Sequence, residues 1–254
     1  MIFQGCYRKS HYNYCDHLVK TVDTRSIHGS SEGEYPVIRH LLNQNSSDQW
    51  FGYFSWKADL KLGGAFREYL FEVEKNKASV DFIYVNAMVM GRVIFQCPYR
   101  QGDWSGHTGM LSCAEELGLV GEFKHFAMNH FVVGTRRFWK YYLEFHQTLE
   151  ERVAGDYRLR EVWNGPGMYS RNRDIPMRTF LRERSLNNVM KECGLEGMQY
   201  KLPFRSFHAK YVKAFGERVS SVYQLYKDDS LNSKNLRDLG FKTENHIRLL
   251  CSLD

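Results

Sequence analysis

Ser79–Gly91, SVDFIYVNAMVMG, is the most apolar stretch of the chain and the natural place to begin. Its continuous β-branched and aromatic character predicts a strand covered on both faces, the kind found in parallel sheets. The strand opens at Asp81 and passes Asn86 as it ends. In open α/β sheets, ligands gather outside the carboxyl ends of the strands, so Asn86 falls where chemistry is expected.

Working outward, Trp50–Trp56 (WFGYFSW) reads as a second strand. Alternation sends Phe51, Tyr53 and Ser55 to one face and Gly52, Phe54 and Trp56 to the other. Lys57 follows at the strand's end, where an α/β sheet presents its ligands, whereas Lys61 is expected in solvent. Residues 57–76 begin as a loop and continue as a helix, MIFQGCY (1–7) is a strand, and VIRHLLNQ (37–44) has helical spacing after Pro36. Downstream, MLSCAEELGL (110–119) offers a capping box in Ser112 and Glu115, and HFAMNHFVVG (125–134) reads as a strand. Thr135 can cap residues 136–155, where Phe138, Tyr142, Phe145, Leu149 and Val153 mark one helical face. Helices are also predicted over 177–195 and 202–229, and the tail 236–254 can fold back on the body. Strands alternating with helices predict an α/β fold with a central, mostly parallel sheet flanked by helices.

The 254 residues suit one domain, read as an α/β core over 1–157 and a basic, mainly helical part over 158–254 packed on it. The overall charge of +6 is unevenly spread. Residues 1–157 carry 17 Lys and Arg against 18 Asp and Glu, whereas 158–254 carry 18 against 11, so the excess lies in the last third and implies an anionic partner. No apolar run reaches the roughly 18 residues of a membrane span, and the N-terminus has no signal-peptide pattern, which predicts a cytoplasmic protein. The six cysteines lack CxxC spacing, so reduced thiols are expected.

No Walker, GxGxxG, HExxH or GxSxG motif occurs. Three looser constellations remain. In DFIYVNA (81–87), Asp81 and Asn86 can be read as oxygen ligands for Mn²⁺ or Mg²⁺, or Asp81 simply as the cap of a strand entry. In YRQGDWSGHTGM (99–110), Asp103 and His107 lie in a glycine-rich stretch that could supply a general base or metal ligands; the plain alternative is an ordinary loop. In RNRDIPMRTFLRERSLNN (171–188), five arginines can meet phosphate oxygens or form a solvated basic face. Glu183 and Arg184 stand out there, because adjacent opposite charges point to different faces.

EYPVIRHLL, WFGYFSWKADLKLG, NHFVVGTRRFWKYYLEFHQTLEE and FLRERSLNNVMKE, in that order, resemble a group of bacterial glycosyltransferases of cell-surface polysaccharide clusters with a GT-A-like fold. The resemblance covers roughly residues 32–192 through short motifs. It implies transfer of a sugar from a nucleotide-sugar donor to a saccharide or lipid-linked acceptor, in capsule, O-antigen or lipooligosaccharide synthesis. Ser55, Trp56 and Lys57 match the first pattern, Asn129 and Phe131 the second, and Phe180, Glu183 and Arg184 the third. The chain departs from the group in lacking an Asp-x-Asp, so dependence on Mn²⁺ or Mg²⁺ is an open expectation. The expected roles are catalysis by Asp103, His107 or Glu183 and donor or phosphate binding by Ser55, Trp56, Lys57, Asn86, Arg182 and Arg184. Acceptor contact falls to Tyr99, Trp104 and Asn129. Amphipathic 208–227 could rest on the inner membrane's cytoplasmic face or pack on the body. Specific nucleic-acid binding is not expected, although a nucleic-acid-binding protein and a catalytically inactive saccharide-binding relative are the competing readings.

Overall fold

The computed structural model describes residues 1–29, 33–45, 47, 49–104, 108–127, 129–167 and 175–242. In chain order, β1 (Ile2–Cys6) leads through a 3-10 helix (Lys9–Tyr14) to β2 (Lys20–Asp23), α1 (Glu34–Gln44), β3 (Trp50–Ser55), α2 (Ala58–Lys61) and α3 (Phe66–Asn76). Then come β4 (Phe82–Val85), α4 (Val89–Phe95), α5 (Pro98–Trp104), α6 (Met110–Glu116), β5 (Val132–Thr135), α7 (Arg136–Gly155) and α8 (Tyr157–Asn164). The chain continues through α9 (Met177–Glu192), β6 (Gly197–Tyr200), α10 (Phe204–Phe215), α11 (Val219–Lys227) and α12 (Ser233–Asp238).

The strands form one mixed sheet in the order β2-β1-β3-β5-β4-β6. Only β5 runs against the others: it is antiparallel to both β3 and β4, while the β1–β2, β1–β3 and β4–β6 pairs are parallel. Alternation along β3 matches the expected faces. Phe51 and Tyr53 join a core with α1, α7 and α9, and Phe54 joins the opposite core with α3, α4, α10 and α11. A third cluster lies among α5, α6, α8 and α9. The sheet is thus a buried layer between two helical layers, and residues from both sides of position 157 fill each core.

Several local readings need correction. The 79–91 stretch is a strand only over Phe82–Val85; Asn86 Oδ1 accepts from Met88 N (3.1 Å), the chain turns, and the apolar run continues as α4. The glycine-rich 99–110 stretch is partly helix, since α5 starts at Pro98 and Gly102 sits where a Cβ would meet Met110 Sδ at 2.1 Å. Ser112 is no cap: α6 begins two residues earlier, after Gly109 in the left-handed conformation (φ 90°). The 125–134 strand shortens to β5, whereas Thr135 does cap α7, accepting from Phe138 N at 3.3 Å. The predicted 202–229 helix breaks at Gly216 (φ 54°) into α10 and α11, and the apolar face of α10 (Phe207, Tyr211, Phe215) packs into the core instead of facing lipid. Among the described residues, no helix is long and apolar enough to cross a membrane.

Candidate functional site at the carboxyl edge of the sheet

Parallel β1, β3 and β4 all end on one edge, at Cys6, Ser55 and Val85. Antiparallel β5 starts on that same edge, where Phe131 O accepts from Val85 N at 2.9 Å, so Asn129 and His130 arrive beside the ends of β3 and β4. From above the sheet, α9 brings Glu183. Its carboxylate accepts from Asn129 Nδ2 at 3.1 Å and pairs with Arg184 Nη1 at 3.2 Å, and Arg184 Nη2 donates to Gln101 Oε1 at 2.9 Å. Burial pushes the Glu183 carboxyl up, but Arg184, Lys61, His130 and the Asn129 hydrogen bond outweigh it and hold it below the usual carboxylate range. The side chain is still 23% exposed. It is therefore an ionised, oriented carboxylate open to a ligand.

Lys61 contributes to this centre, against expectation. Immediately after β3 the chain winds into α2, which returns Lys61, half-buried, to within 5.8 Å of the Phe131 ring. Lys57 is the exposed one, its Nζ 5.3 Å over the Trp56 ring. Behind Asn129, His130 is locked in place: Nδ1 meets Glu34 Oε2 at 2.7 Å and Nε2 meets the Tyr142 hydroxyl at 3.0 Å. A carboxylate only accepts, so Nδ1 donates to Glu34. Neither Glu34 nor His130 was expected here, although Glu34 opens EYPVIRHLL and His130 follows Asn129 in NHFVVG.

Beside this polar centre lies an aromatic shelf. Leaving β1, the 3-10 helix lays the His11 ring on Trp56, stacked at 4.0 Å and 18°, with Tyr7 edge-on to His11 at 4.3 Å and Tyr14 5.3 Å from Trp56. Tyr7 is 50% and Tyr14 60% exposed, while His11 is buried. Burial, followed by the charges of Arg8 and Lys57, lowers the His11 pKa, so the ring stacks as a neutral imidazole. Gln4 ties the shelf together: its Nε2 reaches Ser55 O (3.3 Å) and Trp56 O (3.4 Å), and its Oε1 accepts from Asp16 N (2.9 Å).

Other expected residues do not converge here. Asp81 lies at the opposite edge, where its Oδ2 accepts from Glu196 N at 3.1 Å. The four residues of β4 separate it from Asn86 by roughly 16 Å, so the two cannot hold one Mn²⁺ or Mg²⁺. Among the described residues, no group of three His, Cys, Asp or Glu side chains could hold a metal. Asn86 is buried under its turn and lines a cavity of about 280 Å³ with Val93, Gln199 and Asp229. Tyr99 is a core residue whose hydroxyl donates to Asn188 Oδ1 at 2.7 Å, not an acceptor platform. Asp103 accepts from Leu111 N at 3.3 Å at the start of α6. Arg182 is buried on Glu150 (2.5 Å) and over the Tyr35 ring (4.4 Å), which removes it from phosphate binding; Arg184 serves Glu183 instead. His107 and the Trp104 side chain lie outside the described residues. Set against known proteins, the chain matches no family model, no curated protein and no solved structure, so the functional reading rests on this geometry.

Proposed function

We propose that the chain is a glycosyltransferase that moves a sugar from a nucleotide-sugar donor to a saccharide or lipid-linked acceptor of surface-polysaccharide synthesis, on a GT-A-like α/β scaffold. One observation carries the reading: Asn129 and Glu183–Arg184, far apart in the chain, meet on the same edge of the sheet at which β3 delivers Ser55–Lys57. An aromatic shelf, built on the stacked His11–Trp56 pair, stands at the ends of β1 and β3. The shelf suits a nucleobase, which stacks on aromatic faces with little demand on its own polar groups. Lys57 and Lys61 supply positive charge for the diphosphate that leaves as the glycosidic bond breaks. Glu183, with Asn129 beside it, is placed to accept a hydrogen bond from a sugar hydroxyl or the proton of an attacking hydroxyl. The residues do not fit a metal held by Asp81 and Asn86.

The test is thermal shift and direct transfer assay with UDP-, GDP-, CMP- and dTDP-sugars, with and without Mn²⁺. At least one donor should raise the melting point, and Trp56→Ala should remove that shift. If oligonucleotides shift the protein and no nucleotide sugar does, the nucleic-acid-binding alternative takes its place. Arginines of the C-terminal third weigh against that alternative, since Arg178 meets Asn164, Arg182 meets Glu150 and Arg205 meets Glu68. Donor binding without turnover would identify an inactive saccharide-binding relative.

A further inference from the structure

Two thiols face each other beneath the aromatic shelf. Cys6 closes β1, Cys15 ends the 3-10 helix, and their Sγ atoms are 3.0 Å apart. A disulfide places its sulfurs about 2.05 Å apart, so bonding requires roughly 1 Å of approach. Both cysteines are free, as are Cys97, Cys113 and Cys193. The pair brackets residues 7–14, which carry Tyr7, His11 and Tyr14 of the shelf. In the thiol form that segment is fastened by non-covalent ties, among them Asp16 N to Gln4 Oε1 and Cys15 N to Tyr12 O at 3.3 Å.

We propose that Cys6 and Cys15 are a redox couple, oxidised to a disulfide by a peroxide, and that this bond pins the shelf segment to the end of β1. The bond would form whatever ligand the shelf takes. Cys15 reacts first, because it is half-buried whereas Cys6 is fully buried. Burial and the neighbouring Cys15 also push the Cys6 thiol up to about 12, which disfavours its thiolate. The Cys15 sulfur attacks one peroxide oxygen, the O–O bond breaks, and the departing hydroxide leaves with the Cys15 proton as water, giving a sulfenic acid. The Cys6 sulfur then attacks the Cys15 sulfur, the S–O bond breaks, and the leaving oxygen takes the Cys6 proton as a second water. Two thiols lose two electrons, and the peroxide is reduced to two waters.

The experiment uses the full chain, freed of reductant and exposed to hydrogen peroxide, with peptide mapping by mass spectrometry and amide hydrogen exchange. The expected product has lost two hydrogens, yields a Cys6–Cys15 cross-linked peptide, and exchanges amides over residues 8–15 at least about tenfold more slowly than the reduced protein, the loop being closed covalently. Cys15→Ser should abolish the cross-link and the slowing together, and Cys6→Ser should leave a sulfenic acid trappable at Cys15. Oxidation that joins other cysteines, or that stops at sulfenic acid in the unsubstituted chain, overturns the proposal. So does a Cys6–Cys15 bond that leaves exchange over 8–15 unchanged.

Discussion

Glu183 concentrates the functional argument in one side chain. Its pKa is depressed in the folded state, so the stabilisation it brings is present above its unfolded value, about 4.3, and is lost as pH falls through the lower folded value. Glu183→Gln should therefore flatten the acid limb of a melting-temperature profile below about pH 4.3. At neutral pH it should cost about 2 kcal/mol, because buried Arg184 loses its charged partner. If the two profiles stay parallel in acid, Glu183 is not held ionised by its neighbours. The same substitution should abolish transfer and spare donor binding, since in the proposed reading the carboxylate serves the attacking hydroxyl and the shelf holds the nucleobase. Lys57 offers a milder test. Being exposed, its replacement by Ala should weaken nucleotide-sugar affinity only about three- to fivefold, measured by titration calorimetry. Unchanged affinity would make Lys57 part of the scaffold.

Secondary-structure elements were readable wherever period and punctuation agreed. Over α7, five apolar positions on one face, Thr135 before them and Gly155 at the end leave no competing reading. Where apolar residues run continuously, strand and buried helix look alike, and α4 was lost inside the 79–91 strand for that reason. The 3-10 helix Lys9–Tyr14 and β2 carry neither periodicity nor strong caps; the first is held by the His11–Trp56 stack and the second by pairing with β1. The β5–α7 junction allows a quantitative comparison. Thr135→Ala removes the cap's hydrogen bond and should cost about 1 kcal/mol. Gly134→Ala should cost more, about 2–3 kcal/mol, because a Cβ there would sit 2.7 Å from the Phe138 ring, which is fully buried. Urea unfolding decides the order, and a Gly134→Ala cost below that of Thr135→Ala would mean the ring yields freely.

At the scale of the molecule, the part of the candidate site that the sequence singles out lies on strand ends and on one helix: Ser55–Lys57, Asn129 and Glu183. What was illegible depends on pairings across the fold. Glu34 and His130 lie 96 positions apart with no local signal linking them, and strand length alone separates Asp81 from Asn86. The same long-range closure governs stability. β6 pairs with β4 over four residues, and α9, α10 and α11 supply Leu186, Phe207 and Val222, all fully buried, to cores that begin with residues of β3 and β4. A fragment of residues 1–157 would leave one sheet edge open and both cores uncovered, so it should show no cooperative unfolding and should bind hydrophobic dye. The full chain should unfold in one transition, with calorimetry, tryptophan fluorescence and far-ultraviolet circular dichroism coincident. Phe207→Ala, which empties a buried position between α10 and the sheet, should lower stability by about 3–5 kcal/mol and move all three signals together. If the C-terminal third instead melts first and leaves a folded remainder with native near-ultraviolet signal, the two parts are separate cooperative units and the shared core does not bind them into one.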